Sequence, residues 1–428
     1  MKLGVSLLIG FVLSCSILFA GQTKIINKSF KIETDKTVEF EDFSGLNVKI
    51  SAWDKDEIGF NLKAYVDCSD KEFEKLYITS LDIENTVLGS RQIISLVKTN
   101  ETGGFSFLGL FKIRIGYHFS SELKGEIFLP KKLSLNLNFH YSDILMSGIN
   151  GVKEINGRGN DLLVFNCSGL TKIDDNYGKI NLEKCVGDID LKSRSTTIEI
   201  NDHVGDLKIE SDYTDIKINN VDGRIGIADK SGDIEIKNAV VQYLEIPYSD
   251  LEIRDMLPKN NNRLLIKGKS AELTFYNVKS DMEIESDYTD FRFRNTVGNI
   301  MLHGKSCDIK GEYVEGNLDI NTTYTDIDFR SLNSDRITIS NTSSSIYIVL
   351  SSEPQQIDIR NRYGGVEISV PSTYDGEIDL HSNHGQIKSD FDLNHDKRTS
   401  EMSAYSKGKS TKKHIKIENY SSDIILRK

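Results

Sequence analysis

Glu210 to Lys230 reads ESDYTDIKINNVDGRIGIADK. A turn, Asp212-Tyr213-Thr214-Asp215, leads into an alternation of apolar residues at Ile216 and Ile218. A second turn, Asn220-Val221-Asp222-Gly223, leads into another at Ile225 and Ile227. Lys230-Ser231-Gly232-Asp233 then restarts the unit. Period-two alternation between turn residues reads as short strands buried on one face. The position of Asp215 is filled in turn by Asp143, Asp161, Lys179, Thr197, Asp215, Asp233, Asp250, Glu272, Asp290, Asp308 and Asp326. The step is 18 residues, apart from one of 17 and one of 22. Looser copies stand at Ser345, Gly365, Gln386 and Asp423.

A fixed short period is the signature of a solenoid, in which each repeat is one rung buried by its neighbours. Two strands and two turns per repeat predict an all-β fold, a parallel β-solenoid of two sheets with about 18 residues per rung. With rungs about 4.8 Å apart, some fourteen of them make a rod of about 65–70 Å. A glycine eight residues after the Asp position (Gly151, Gly169, Gly187, Gly205, Gly223, Gly298, Gly316) is expected to supply positive φ at a corner. Five after the Asp position come Asn166, Asp202, Asn220, Asn238, Asp255, Asn277 and Asn295, residues able to bond one another as a ladder.

The chain has 428 residues and a formal net charge of -11, which argues against a nucleic-acid partner. Lys2 followed by a mostly apolar Leu3–Phe19 reads as an export signal over 1–21, with cleavage near Ala20 or Gly21. Val12-Leu13-Ser14-Cys15 offers a rival lipobox reading, with Cys15 as lipidation site, although Ser16–Ala20 is more apolar than a lipoprotein tether. No second apolar segment reads as a membrane span, so the mature chain is expected to be periplasmic, outer-membrane-associated or at the cell surface.

Residues 22–130 read as an irregular β region capping the solenoid and leading into it. Ser69-Asp70-Lys71-Glu72 resembles a capping box for one short helix, with Phe73, Leu76 and Tyr77 on its apolar face. Gly103–Phe111 (GGFSFLGLF) is an apolar loop, read as tucked in rather than exposed. Residues 131–390 form the solenoid, 391–413 a polar loop that breaks the period, and 414–428 strands returning to it.

Gly45–Ile58 (GLNVKISAWDKDEI), Ile127–Asp143 (IFLPKKLSLNLNFHYSD), the recurring S/T-x-D-I-x-I and V-x-G-x-I-x-I units and the terminal Tyr420–Leu426 resemble the bacterial "putative adhesin" β-strand-repeat family and auto-transporter-type adhesin heads. The resemblance implies an exported solenoid acting in adhesion, and brings no catalytic residues. Tyr-Thr-Asp replaces the family's Gly-Ser-Gly corner, so a ligand of that corner need not carry over.

Function is read as a non-enzymatic surface module that binds a glycan or a protein. The alternative is a structural envelope spacer; a polysaccharide-active β-helix enzyme is a remote third, because the acids are spread one per rung as turn residues are. The Asp column could hold calcium, but carboxylates bonding corner amides account for it without metal or other cofactor. His203 shares a column with Ile149, Cys167, Cys185 and Val221 and reads as packed. Cys167 and Cys185 fall on adjacent rungs, within disulfide reach, while parallel side chains in an apolar column favour two packed thiols. Tyr141, Tyr177, Tyr213, Tyr248, Tyr288, Tyr324 and Tyr363 recur at every second corner, with Arg158, Arg194, Lys230, Lys269 and Lys305 at corners between. These rings and the cationic stems between them read first as mutual support on the surface, and alternatively, at Tyr213, Tyr248, Tyr288 and Tyr324, as a candidate binding ladder.

Overall fold

The computed structural model describes residues 21–33, 36–98, 118–256, 262–397 and 401–428. The expected signal segment, with Cys15, and the stretch Gly103–Phe111 lie outside the described residues. Among the described residues the chain is an all-β solenoid of about 13 turns, about 18 residues apart, with two sheets and a single short helix.

Asp215–Asp222 and Arg224–Asp229 form one rung, one strand in each sheet. Ile216 pairs in register with Ile198 on one side and Ile234 on the other, and Ile225 with Leu207. Ile216, Ile218, Ile225 and Ile227 are all at most 1% exposed, so the two apolar alternations face each other across a thin core. Each such side chain contributes roughly 1.5–3 kcal/mol by leaving water. In-register stacking makes columns of like residues, and where a column changes size a neighbour compensates. Phe275 and Phe293 stack at 5.1 Å between centroids. Gly311 follows Phe293 in that column because a Cβ there would lie 2.2 Å from the ring of Phe329 on the next rung.

The corners depend on left-handed backbone. Asn166, Asp202, Asn220, Asn238, Asp255, Asn277 and Asn295 have φ of 50–56°. Their side chains form the expected ladder: Asn220 Nδ2 donates to Asp202 Oδ1 at 2.9 Å, and Asn238 Nδ2 to Asn220 Oδ1 at 2.9 Å. The predicted glycines also have positive φ, from 82° at Gly169 to 143° at Gly298. Gly223 differs. It is needed for close approach, since a Cβ there would lie 1.9 Å from the carbonyl oxygen of Gly205.

Both ends of the solenoid are interleaved. Leu46–Trp53 lies between Phe119–Pro130 and Asp143–Ser147, parallel to both. Its rung partner Thr37–Ser44 lies between Arg91–Lys98 and Lys132–His140. At the other end, Ser410–Asn419 lies between Gln356–Tyr363 and Gly376–Ser382, and Ile424–Arg427 between Val366–Ser369 and Ile387–Ser389. The last strands of the chain therefore fill a place left open between two earlier rungs. Antiparallel strands finish each end: Gln22–Lys31 on Glu57–Cys68, Leu81–Leu88 on Arg91–Lys98, and the hairpin Asn394–Lys397 with Met402–Ser406 within the segment that breaks the period.

The helix spans Lys71–Ser80, and its cap differs from the expectation. Asp70, not Ser69, accepts from the amides of Glu72 and Phe73. The buried face carries Glu74 and Ile78, while Leu76 is exposed. Glu74 tolerates burial because its carboxylate accepts from the Cys68 amide at 2.8 Å and pairs with Lys71 at 2.6 Å, which holds it below the usual carboxylate range.

Candidate binding face

One corner of every rung joins the second sheet to the first, two residues before the Asp column. Following hydrogen-bonded register rather than chain order, this position is occupied by Gly45, Tyr141, Gly159, Tyr177, Ser195, Tyr213, Ser231, Tyr248, Ser270, Tyr288, Ser306, Tyr324, Ser343, Tyr363, Ser421 and His384. Small and aromatic residues alternate without a break. The alternation holds even where Ser421, from the end of the chain, is inserted between Tyr363 and His384.

Small residues give the rings room. A Cβ on Gly159 would lie 2.8 Å from the ring of Tyr141, so the ring leans over the corner below it. Tyr213, Tyr248, Tyr288 and Tyr324 are each 51–60% exposed, and they project outward as expected of a corner. Two rungs separate successive rings, a spacing of about 9.4–9.8 Å. None of the hydroxyls of Tyr141, Tyr177, Tyr213, Tyr248, Tyr288, Tyr324 or Tyr363 has a side-chain hydrogen bond among the described residues.

The backbone under the rings is unusual. Tyr141, Tyr177, Tyr213, Tyr288 and Tyr324 have φ of 51–67°. Left-handed backbone crowds Cβ against the carbonyl and costs roughly 1–2 kcal/mol for an ordinary residue, so glycine or asparagine would suit better. The asparagine column uses that solution at most rungs, with Lys184, Tyr313 and Ser331 as exceptions; the tyrosine column does not.

Cations between the rings are present at some corners only. Arg158 lies over Tyr177 at 5.0 Å, and Arg362 over Tyr363 at 5.1 Å and Tyr420 at 5.5 Å. Lys230 turns instead to Asp212 at 2.8 Å.

Behind the rings the inside of the corner is polar. Asn160 Nδ2 donates to Asp175 Oδ2 at 2.7 Å. Asp229 accepts from Ser211 at 2.7 Å and from Ser249 at 2.8 Å. Burial pushes Asp175 up to about 6 and raises Asp229 as well, against the lowering effect of these hydrogen bonds.

The Asp column is engaged with backbone. Asp215 Oδ1 accepts the Asp233 amide at 3.2 Å, Asp250 the Glu272 amide at 2.7 Å, and Asp326 the Ser345 amide at 3.0 Å. Sequence reading missed a second ladder of the same kind at the opposite corner, where Asp188 accepts from the Asp206 amide and Asp206 from the Arg224 amide, both at 2.8 Å. The signal was present as Asp or Asn one residue after the corner glycine. Among the described residues, no three of His, Cys, Asp and Glu converge in a way that would hold a metal ion.

Cys167 and Cys185 are both buried and free, so the disulfide left open by their spacing is not formed in this structure. In-register rungs point both side chains the same way, and each sulfur faces backbone: Cys185 Sγ donates to the Val164 carbonyl at 3.5 Å. Burial pushes the Cys185 thiol up to about 11. Next in the column, His203 is 1% exposed with neither ring nitrogen hydrogen-bonded, and burial holds its imidazole below the usual histidine range. Cys15, the third candidate, lies outside the described residues. No helix among the described residues is long and apolar enough to cross a membrane.

Residues 245–427 match the model of the family described as Toastrack DUF4097. The β-strand-repeat resemblance drawn from the sequence is borne out over these residues. A crystal structure of a "putative cell adhesion protein" from Clostridium sporogenes is similar at 10% identity, covering 95% of this chain and all of that one, with a TM-score of 0.14. No curated protein matches.

Proposed function

We propose, taking the Toastrack match as the premise, that this protein is a non-enzymatic binding rod displayed at the cell surface, with the tyrosine corner as its contact face. The observation that supports this is the strained backbone under the rings. A tyrosine kept repeatedly in left-handed conformation, with a small residue always beside it, costs stability that packing alone does not require, and such departures from local preference concentrate at functional sites. Large, rigid rings with a free hydroxyl make good contact surfaces at low entropic cost.

The test is a variant with Tyr213→Ser, Tyr248→Ser, Tyr288→Ser and Tyr324→Ser. Serine already fills the corners between, so the variant should fold and melt no lower than the parent. It should also lose binding to cells and envelope preparations. If binding stays at the parental level, the ladder is not the contact face.

A second reading, a structural spacer, draws on the interleaved ends, which suit a rod that must not fray. It predicts that the same variant behaves as the parent in every binding assay, while disrupting the terminal rungs abolishes function.

A further inference from the structure

We infer that the ligand of the tyrosine ladder is a peptide in the polyproline II conformation, proline-rich and with a repeat of three residues. This rests on the ladder being the contact face, and adds what lies on it.

Spacing carries the first part of the argument. Rings on alternate rungs recur about every 9.4–9.8 Å along the rod. A polyproline II helix has three residues per turn and rises about 3.1 Å per residue, so it presents the same face about every 9.3 Å. The two repeats differ by about 0.1–0.5 Å per step, and over four consecutive rings by no more than about 1.5 Å. A β-strand laid along the same row repeats its face about every 6.6–6.8 Å and falls out of step at the second ring. The corner residues between the rings are small at the same interval, so a ligand with one bulky face per turn sets pyrrolidine against ring at each step.

Hydrogen bonding carries the second part. A proline-rich chain offers carbonyl acceptors and few donors, and in this conformation none of its backbone groups is paired internally. Each ladder tyrosine offers an O–H donor that no protein acceptor takes up among the described residues. Grooves lined by aromatic residues are a recurrent way of recognising such peptides, since the preformed helix loses little entropy on docking. The unbroken alternation through Tyr363, Ser421 and His384 lengthens the row by one more ring and keeps its period, although the chain is out of order there.

The experiment measures binding of capped oligoprolines of about 9, 15 and 21 residues, which span about three, five and seven turns, to the mature protein by calorimetry. A Gly/Ser peptide of the longest length is the control, and cello- and chito-oligosaccharides form separate arms. The expected result is an apparent Kd that falls several-fold with each lengthening, no binding of the Gly/Ser peptide, and loss of oligoproline binding in the quadruple Tyr→Ser variant. No saturable oligoproline binding to the parent overturns the inference, as does equal binding to parent and variant. Ladder-dependent binding of an oligosaccharide without oligoproline binding overturns the peptide assignment and leaves the ladder as contact face. A variant that keeps its cell and envelope binding removes both.

Discussion

Tyr363 and His384 lie two rungs apart on the same corner, and Ser421 occupies the corner between them although it follows both in the chain. Duplication of a two-rung unit along the gene would explain alternation in chain order. It does not explain alternation kept across a strand inserted from the terminus. The pattern belongs to the surface as assembled in space.

The strain under the rings leads to a stability prediction with an internal control. Replacing Tyr213, in left-handed backbone, by asparagine should stabilise the protein by about 0.5–1 kcal/mol, because asparagine tolerates that conformation. Tyr248 is not among the left-handed residues, so Tyr248→Asn should bring no such gain. Denaturant unfolding of the two variants measures the difference; equal effects would show that the backbone is not the cause.

Asp175 sets a pH dependence of unusual sign. Its folded value is raised to about 6 from 3.8, so the folded protein holds the proton more tightly than the unfolded chain. The cost of the buried charge is present above about pH 6 and is relieved as pH falls towards 4. This group alone should add about 2–3 kcal/mol of stability between pH 7 and pH 4. Asp175→Asn should remove most of that rise, leaving the smaller part due to Asp229. Melting curves from pH 4.5 to 7.5 decide it, and parallel profiles for parent and variant would count against the assignment.

The inserted C-terminal rung should behave as an interior element. Ile415, Ile417, Ile424 and Leu426 are fully buried between strands on both sides. Deleting Ser410–Lys428 should therefore lower Tm by more than deleting the peripheral strand Gln22–Lys31, and should leave a gap bounded by two parallel strand edges. A synthetic peptide of residues 410–428 should restore Tm when added in trans. Failure of the peptide to bind the truncated protein would show that the gap closes without it.

Cys167 and Cys185 should resist thiol reagents in the native state and react only on unfolding, since both are buried and the Cys185 thiol stays protonated at neutral pH. Peptide mass spectrometry without reduction should find both free. A 167–185 bridge would require one side chain to turn from its column.

Much of the fold was legible because a solenoid writes its geometry as a period. Ile216 and Ile225 declared their faces by alternation alone, and Asn220 and Asn238 their ladder by spacing. The tyrosine column was legible in the same way, but its left-handed backbone was not: φ is set by the turn the strands impose, and tyrosine carries no signal for it. The helix cap shifted from Ser69 to Asp70 because two adjacent residues can both cap and only backbone geometry chooses. The ends were opaque for a deeper reason. Leu46 to Ile50 and His414 to Ile417 show strand alternation, but nothing in the chain says that their neighbours are rungs from elsewhere in the sequence.

Interleaving also governs when the protein can fold. A simple solenoid can add rungs as the chain emerges from a ribosome or an export channel. Here Thr37–Trp53 waits for Arg91–Ser147 before it has both neighbours, and the gap after Val366–Ser369 stays open until the last residues arrive. These are contacts of long sequence separation, which slow folding. Vectorial delivery from the N-terminus therefore closes the first rungs only once Asp143–Ser147 has emerged, and leaves the later gap open until Ser410–Asn419 and Ile424–Arg427 follow.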